Sequence, residues 1–133
     1  MKYSVMKDSS LAALAAFFLL ISVSSCRKEL GPTDLRIKNV SDYDLTNVEV
    51  NTSEGIQNYG TITVGQSTDY KRFDKAYRQA QIELYIENEK YTFIPVAYTY
   101  EVPLGQGKFT YELSADTTKK ELTIHVTADA PLD

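Results

Sequence analysis

Hydrophobic and polar positions alternate with a period of two over most of the chain beyond residue 34, the pattern of half-buried strands. Leu35 and Ile37 alternate with Arg36 and Lys38, and Val48 and Val50 with Asn47, Glu49 and Asn51. Ile62 and Val64 fall between Thr61 and Thr63, and Ile82, Leu84 and Ile86 face away from Gln81, Glu83, Tyr85 and Glu87. Phe109, Tyr111 and Leu113 oppose Lys108, Thr110 and Glu112. Leu122, Ile124 and Val126 oppose Glu121, Thr123, His125 and Thr127.

The segments between these runs read as turns. Residues 39–44, 52–58 and 65–67 are rich in Asn, Asp, Ser and Gly, which favour local side-chain hydrogen bonds or positive φ. Asn88-Glu89 predicts a tight hairpin, with Asn taking the positive φ. Residues 103–107 and 115–119 supply two further turns. With strands added at Tyr91–Ile94 and around Tyr70, the count is about eight. Eight short strands in fewer than a hundred residues predict an all-β fold, a two-sheet antiparallel β-sandwich of immunoglobulin-like shape. Residues 69–81 depart from the alternation: Tyr70, Phe73 and Tyr77 are spaced by three and four, as in a helix. The reading adopted is a strand to about Phe73, one irregular turn, and a new strand from about Gln79.

The first 25 residues follow a different rule. Lys2 and Lys7 precede Leu11–Val23, thirteen residues with no charge and one serine. A basic start, a short apolar core and a small-residue exit describe a secretory signal. The core is shorter than the ~20 residues a membrane-spanning helix needs. Val23-Ser24-Ser25-Cys26 resembles the lipobox of bacterial lipoproteins, and Cys26 is the sole cysteine. The resemblance implies a thioether-linked lipid on Cys26 and cleavage before it. A lone thiol in an oxidising compartment invites unwanted pairing, and acylation removes it. One acyl chain binds membranes marginally, at about 0.8 kcal/mol per methylene, so two or three chains are needed for lasting attachment. Arg27-Lys28-Glu29 resembles the charged cluster behind the cysteine of surface-displayed lipoproteins of the Bacteroidota, a cluster that is commonly more acidic.

The expected organisation is a signal peptide over residues 1–25, a lipidated N-terminus and tether over 26–33, the sandwich over 34–127 and a tail over 128–133. Removing Lys2, Lys7 and Asp8 with the signal leaves 12 basic and 17 acidic residues, scattered along the chain. Without a basic stripe, nucleic acid is not an expected partner. The stretches IKNVSDYDLTNVEVNT, NYGTITVGQSTDYKRFDKAY and ELYIENEKYTFIP are similar to a group of small Bacteroidota lipoproteins of uncharacterised function. That resemblance implies an outer-membrane location and this fold, and no activity.

Catalytic chemistry finds few candidates. His125 is the one histidine, on the polar side of a strand, where a solvated residue is the plain explanation. Cys26 is committed to lipid. One histidine and one acylated cysteine do not make a zinc site, and Asp42 and Asp44 alone do not make a calcium site. No carboxylate pair stands out for glycoside cleavage. No cofactor, metal or enzymatic activity is expected; a small envelope hydrolase is the weakest alternative.

Tyrosine is the enrichment that asks for an explanation: nine in residues 26–133, with no tryptophan. An apolar ring with a polar tip suits half-buried strands and also interfaces. Tyr43, Tyr98 and Tyr100 fall at strand ends or ambiguous positions. Tyr59, Tyr70 and Tyr77 are the candidate binding patch for a protein or a glycan. The expected function is a non-enzymatic envelope lipoprotein acting as a binding or accessory module, with a glycan-binding module as the alternative. Asp116-Thr117-Thr118 resembles the motif on which Bacteroidota exported proteins are O-glycosylated, which points to Thr117; a plain turn explains the same residues.

Overall fold

A computed structural model of the chain describes residues 31–96 and 102–132. The expected signal, Cys26 and the tyrosines at 98 and 100 lie outside the described residues. Eight strands follow in order: β1 (Thr33–Asn39), β2 (Leu45–Asn51), β3 (Ile56–Ile62), β4 (Lys71–Phe73), β5 (Gln81–Ile86), β6 (Glu89–Phe93), β7 (Gly107–Asp116) and β8 (Glu121–Ala130). They form two four-stranded sheets, one ordered β4-β1-β7-β8 (sheet A) and one ordered β3-β2-β5-β6 (sheet B). No helix occurs among the described residues. The expected all-β sandwich is what the chain builds. One pair departs from the antiparallel rule: β1 runs parallel to β7, with Arg36 opposite Thr110.

The alternation predicted the core well where strands are regular. Leu35, Ile37, Ile82, Leu84, Ile86, Tyr111, Leu113 and Leu122 are buried between the sheets, with Phe109, Ile124 and Val126 packed against them. Each fully buried aliphatic side chain of this kind contributes about 1.5–3 kcal/mol.

The alternation failed where the backbone bulges. Val48 and Val50 face the core as the alternation predicts, and Leu45 joins them from three residues before Val48. Asn47, at φ 47°, absorbs the extra residue, and the β2–β3 register shifts there. In β3 the buried residues are Tyr59 and Ile62, separated by Gly60 at φ 71°. Val64, expected in a strand, stands exposed in the turn after it. The expected turn over residues 52–58 is shorter: β3 already begins at Ile56.

Two connections also moved. The β5–β6 turn is Glu87-Asn88, both at positive φ, rather than Asn88-Glu89; two positive φ values match the hairpin turn that fits strand twist. Glu89 thereby joins the strand, where its carboxylate pairs with Lys120. Residues 69–81 form no helix. After β4 the chain crosses between sheets and seats Ala76 and Ala80 in the core, so the helix-like spacing arises from a short strand followed by a plugging loop. β8 continues to Ala130, and residues 128–130, expected in a tail, are strand.

Candidate binding face

The outer face of sheet A carries a connected cluster of polar side chains. Arg36 on β1 and Thr110 on β7 point away from the core because their neighbours Leu35, Ile37, Tyr111 and Leu113 point into it. Parallel pairing sets Arg36 directly beside Thr110. Asp129 enters through a bulge: Lys108 pairs with Ala130 and Phe109 with Ala128, leaving Asp129 as the extra residue. Bulges commonly re-aim a side chain, and here the carboxylate reaches the face.

The contacts form a relay. Arg36 Nε donates to Thr110 Oγ1 at 2.8 Å, and Thr110 Oγ1 donates to Asp129 Oδ2 at 2.5 Å. Tyr70, just before β4, donates its hydroxyl to the same Asp129 oxygen at 2.9 Å. The Arg36 guanidinium lies 5.0 Å from the Tyr70 ring centroid and the Lys108 ammonium 5.7 Å, within cation–π range. Burial, then the hydrogen bond to Asp129, hold the Tyr70 phenol above its ordinary value. Beside this group Arg72 grips Asp34 through two hydrogen bonds of 2.8 and 3.2 Å. Thr110 is itself buried beneath these side chains.

The three tyrosines expected to share one patch do not. Tyr59 is only 8% exposed, turned into the sandwich, with its hydroxyl donating to Leu35 O at 2.6 Å. Lys71 lies 5.6 Å from its ring. Burial pushes the Tyr59 phenol well above its ordinary value, and the Asp34 charge adds to that. Its place in a surface patch is corrected: parity inverts at Gly60, so the ring serves the core. Tyr77 is half-buried in the 74–80 crossing, where its carbonyl accepts a hydrogen bond from Tyr111. Tyr70 alone sits on the outer face of sheet A.

Other candidates have ordinary roles in the fold. Asp44 Oδ1 accepts from Val64 N at 3.1 Å, tying two loops. Asp116 Oδ1 accepts from Thr118 N and Lys119 N, shaping the β7–β8 turn. Thr117 is half-buried and its hydroxyl lies 3.1 Å from that of Tyr43, so a sugar on Thr117 would have to displace this contact. His125 is exposed on the outer face of sheet A, across from Glu112. No group of three or more His, Cys, Asp or Glu able to hold a metal occurs among the described residues.

Among the described residues, grooves flank the sheets at two places. One, of about 380 Å³, lies between β3 and β4 and is lined by Thr61, Thr63, Gln66, Thr68 and Lys71 with the edge of Tyr59. The other, of about 460 Å³, opens at the end of sheet A, with Phe109, Val126, Ala128, Leu104 and Val102 as apolar lining and Arg78 at its side.

Sequence reasoning placed Arg36, Lys108 and Thr110 on outward positions and missed that they meet. The missing fact was the β1–β7 pairing, which joins residues more than seventy positions apart. No protein-family model matches the chain, and no curated protein matches it. Among solved structures, a protein from Eubacterium rectale is similar at 16% identity and a TM-score of 0.50, over 74% of this chain and 89% of that one. A provisionally assigned cell adhesion protein from Bacteroides uniformis is similar at 7% identity and a TM-score of 0.41, over 74% of this chain and 50% of that one. What the Eubacterium rectale structure shares with this chain is the fold.

Proposed function

We propose that the chain is a non-enzymatic, lipid-anchored module of the cell envelope that binds a protein partner through the outer face of sheet A. The immunoglobulin-like reading of the sandwich and the kinship with small Bacteroidota lipoproteins belong to the same proposal. Acyl chains on Cys26 hold it in the outer membrane, and the cluster Arg27-Lys28-Glu29 favours display at the cell surface.

The observation that carries the binding role is the Tyr70 network. Tyr and Arg are the side chains that most often dominate interface energetics. Here Tyr70 is fixed by Asp129 and flanked by Arg36 and Lys108 on a hydrogen-bonded sheet. Side chains already held in place lose little freedom on binding, which lowers the entropic cost of association. With cations against its ring, Tyr70 suits a polar protein surface better than stacking on a sugar. Tyr59, the second ring the glycan reading required, is in the interior.

The test uses the lipidated chain crosslinked in its native envelope. Partners captured by the wild-type protein should be lost from Tyr70→Ala and Arg36→Ala while both variants unfold at near wild-type temperature. An unchanged set of captured proteins would refute the assignment of this face. Cys26→Ser should abolish partitioning into detergent; a mutant that still partitions removes the anchor.

A further inference from the structure

The two ends of the sandwich differ in character. Strand pairing places Thr33 opposite Phe73 and Gly107, Asn51 opposite Gln81 and Ile56, Ile82 opposite Phe93, and Lys108 opposite Ala130. One end therefore gathers Gly31-Pro32, the turn at 52–55, the crossing at 74–80, residues 94–96 after β6 and residues 102–106 before β7. Leu104 N donates to Ala76 O at 2.8 Å and Gln57 Nε2 to Arg72 O at 3.2 Å, tying the sheets together there. The opposite end gathers residues 40–44, 63–67, the Glu87-Asn88 turn and the turn after Asp116.

Most of the large apolar side chains exposed among the described residues lie at the first end. Ile56 is 60% exposed, Ile94 67%, Val96 96% and Val102 78%. The groove lined by Arg78, Val102, Leu104, Gln106, Phe109 and Val126, mixed in polarity, opens at this end as well. Ile56 belongs to the edge strand β3, and Ile94 follows the opposite edge strand β6. Three strand spacings, roughly 15 Å, separate those edges. One small ligand does not span that width; an extended lipid surface does.

The chain itself brings this end to the membrane. Gly31 lies here, and only residues 27–30 separate it from Cys26. Five extended steps reach at most about 18 Å. An acylated Cys26 thus holds this end next to the bilayer and leaves the turn after Asp116 pointing away.

We infer that this end of the sandwich docks on the lipid surface, with Ile56, Ile94, Val96 and Val102 entering the interface. The inference rests on the lipid anchor proposed above. Lys75 and Arg78 stand at this end for lipid phosphates, but Glu54 and Asp74 offset them, so apolar insertion carries the contact. Exposed apolar side chains gathered at one end have a use in this arrangement that solvent does not offer them. The outer face of sheet A then stands beside the membrane plane, open to a partner.

The chain contains no tryptophan, so a single introduced one is a clean reporter. The full lipidated protein carrying Ile56→Trp, Val102→Trp or Val64→Trp is incorporated into phosphatidylethanolamine–phosphatidylglycerol vesicles with and without brominated acyl chains. Ile56→Trp and Val102→Trp should shift to the blue and be quenched, as expected for side chains about 5–10 Å into the interface. Val64→Trp, at the far end, should show neither change. If one of the two near variants misfolds by circular dichroism, the other decides. Flotation with the vesicles and no quenching at Ile56→Trp or Val102→Trp would overturn the docking while leaving the anchor intact. Equal quenching at all three would also overturn it, since the domain would then lie flat. Failure to float would remove the anchor and, with it, the docking that depends on it.

Discussion

Asn39 is the residue whose replacement should reveal most about how the sandwich is held closed. It ends β1 fully buried, where the chain turns to cross to sheet B. Its Nδ2 donates to Tyr43 O at 2.7 Å and to Ile62 O at 2.9 Å. Its Oδ1 accepts from Ser41 N at 2.9 Å and from Ser41 Oγ at 2.6 Å. In Asn39→Ala, the Ser41 hydroxyl is freed to donate its one proton to Tyr43 O, 2.9 Å away, whereas Ile62 O and Ser41 N lose this partner. Each buried polar group left unpaired costs about 1–3 kcal/mol, so two such groups put the loss at about 2–6 kcal/mol. That is a large part of the ~5–15 kcal/mol that holds a domain folded. For a domain of this size, a loss of 3 kcal/mol lowers the melting temperature by roughly 12–24 °C.

Asn39→Asp separates donor from acceptor. The variant keeps the oxygen that serves Ser41 but turns a second oxygen toward two carbonyls, where only a protonated carboxyl can donate. Folding therefore favours the protonated form and raises the folded-state pKa above the ordinary ~3.9. With a raised pKa, the stability of the variant relative to wild type is fully present below about pH 3.9 and is lost as pH rises through the folded value. Urea unfolding of both proteins from pH 3 to pH 7 measures the difference. A variant that tracks wild type at every pH, or gains on it as pH rises, would refute the donor role assigned to Nδ2.

Three further outcomes are expected. Leu84→Asp, placing a carboxylate at a fully buried position, should cost more than about 3 kcal/mol or prevent folding; Glu83→Lys, on the outer face opposite Glu49 and 3.5 Å from Lys90, should change stability by less than about 1 kcal/mol, and equal effects in thermal unfolding would contradict the register. Tyr59→Phe should cost about 1 kcal/mol for the lost hydrogen bond to Leu35; because burial raises the Tyr59 phenol, wild-type stability should fall as pH climbs above about 10, and denaturant titrations there should show a shallower fall in the phenylalanine variant. An O-glycan on Thr117, which must displace the contact with Tyr43, should make the native protein heavier than its Thr117→Ala variant by a sugar mass; identical intact masses, apart from the substitution, would end that proposal.

The face of each regular strand was readable because period two is a local property. Leu35, Ile37, Ile82, Leu84, Ile86, Tyr111 and Leu113 are spaced by their strands alone, and all seven are buried. The Asn39–Ser41 pair illustrates a middle case. A turn was evident from the residue types, but its use as a buried lock requires Ile62, twenty-three positions away. In β3 the polar composition of Gln57, Asn58 and Gly60 hid the strand, since an edge strand needs few apolar residues. The positive φ of Gly60 then reversed the parity on which the reading of Tyr59 depended.

The sequence by itself determined the period-two elements, the class of fold they make and the single cysteine on which the proposed anchor rests. These follow from side-chain alternation, turn residues and the chemistry of one thiol, all of which act over a few positions. The tertiary structure decided which outward-facing residues meet. Arg36, Tyr70, Thr110 and Asp129 come from four places in the chain, and their neighbourhood depends on β1 choosing β7 as a parallel partner and on the bulge that turns Asp129 to the face. It also decided that Ile56, Ile94, Val96 and Val102 share one end. Strand pairing between distant segments is selected by the burial of both sheets at once, a collective energy that no short window of residues contains.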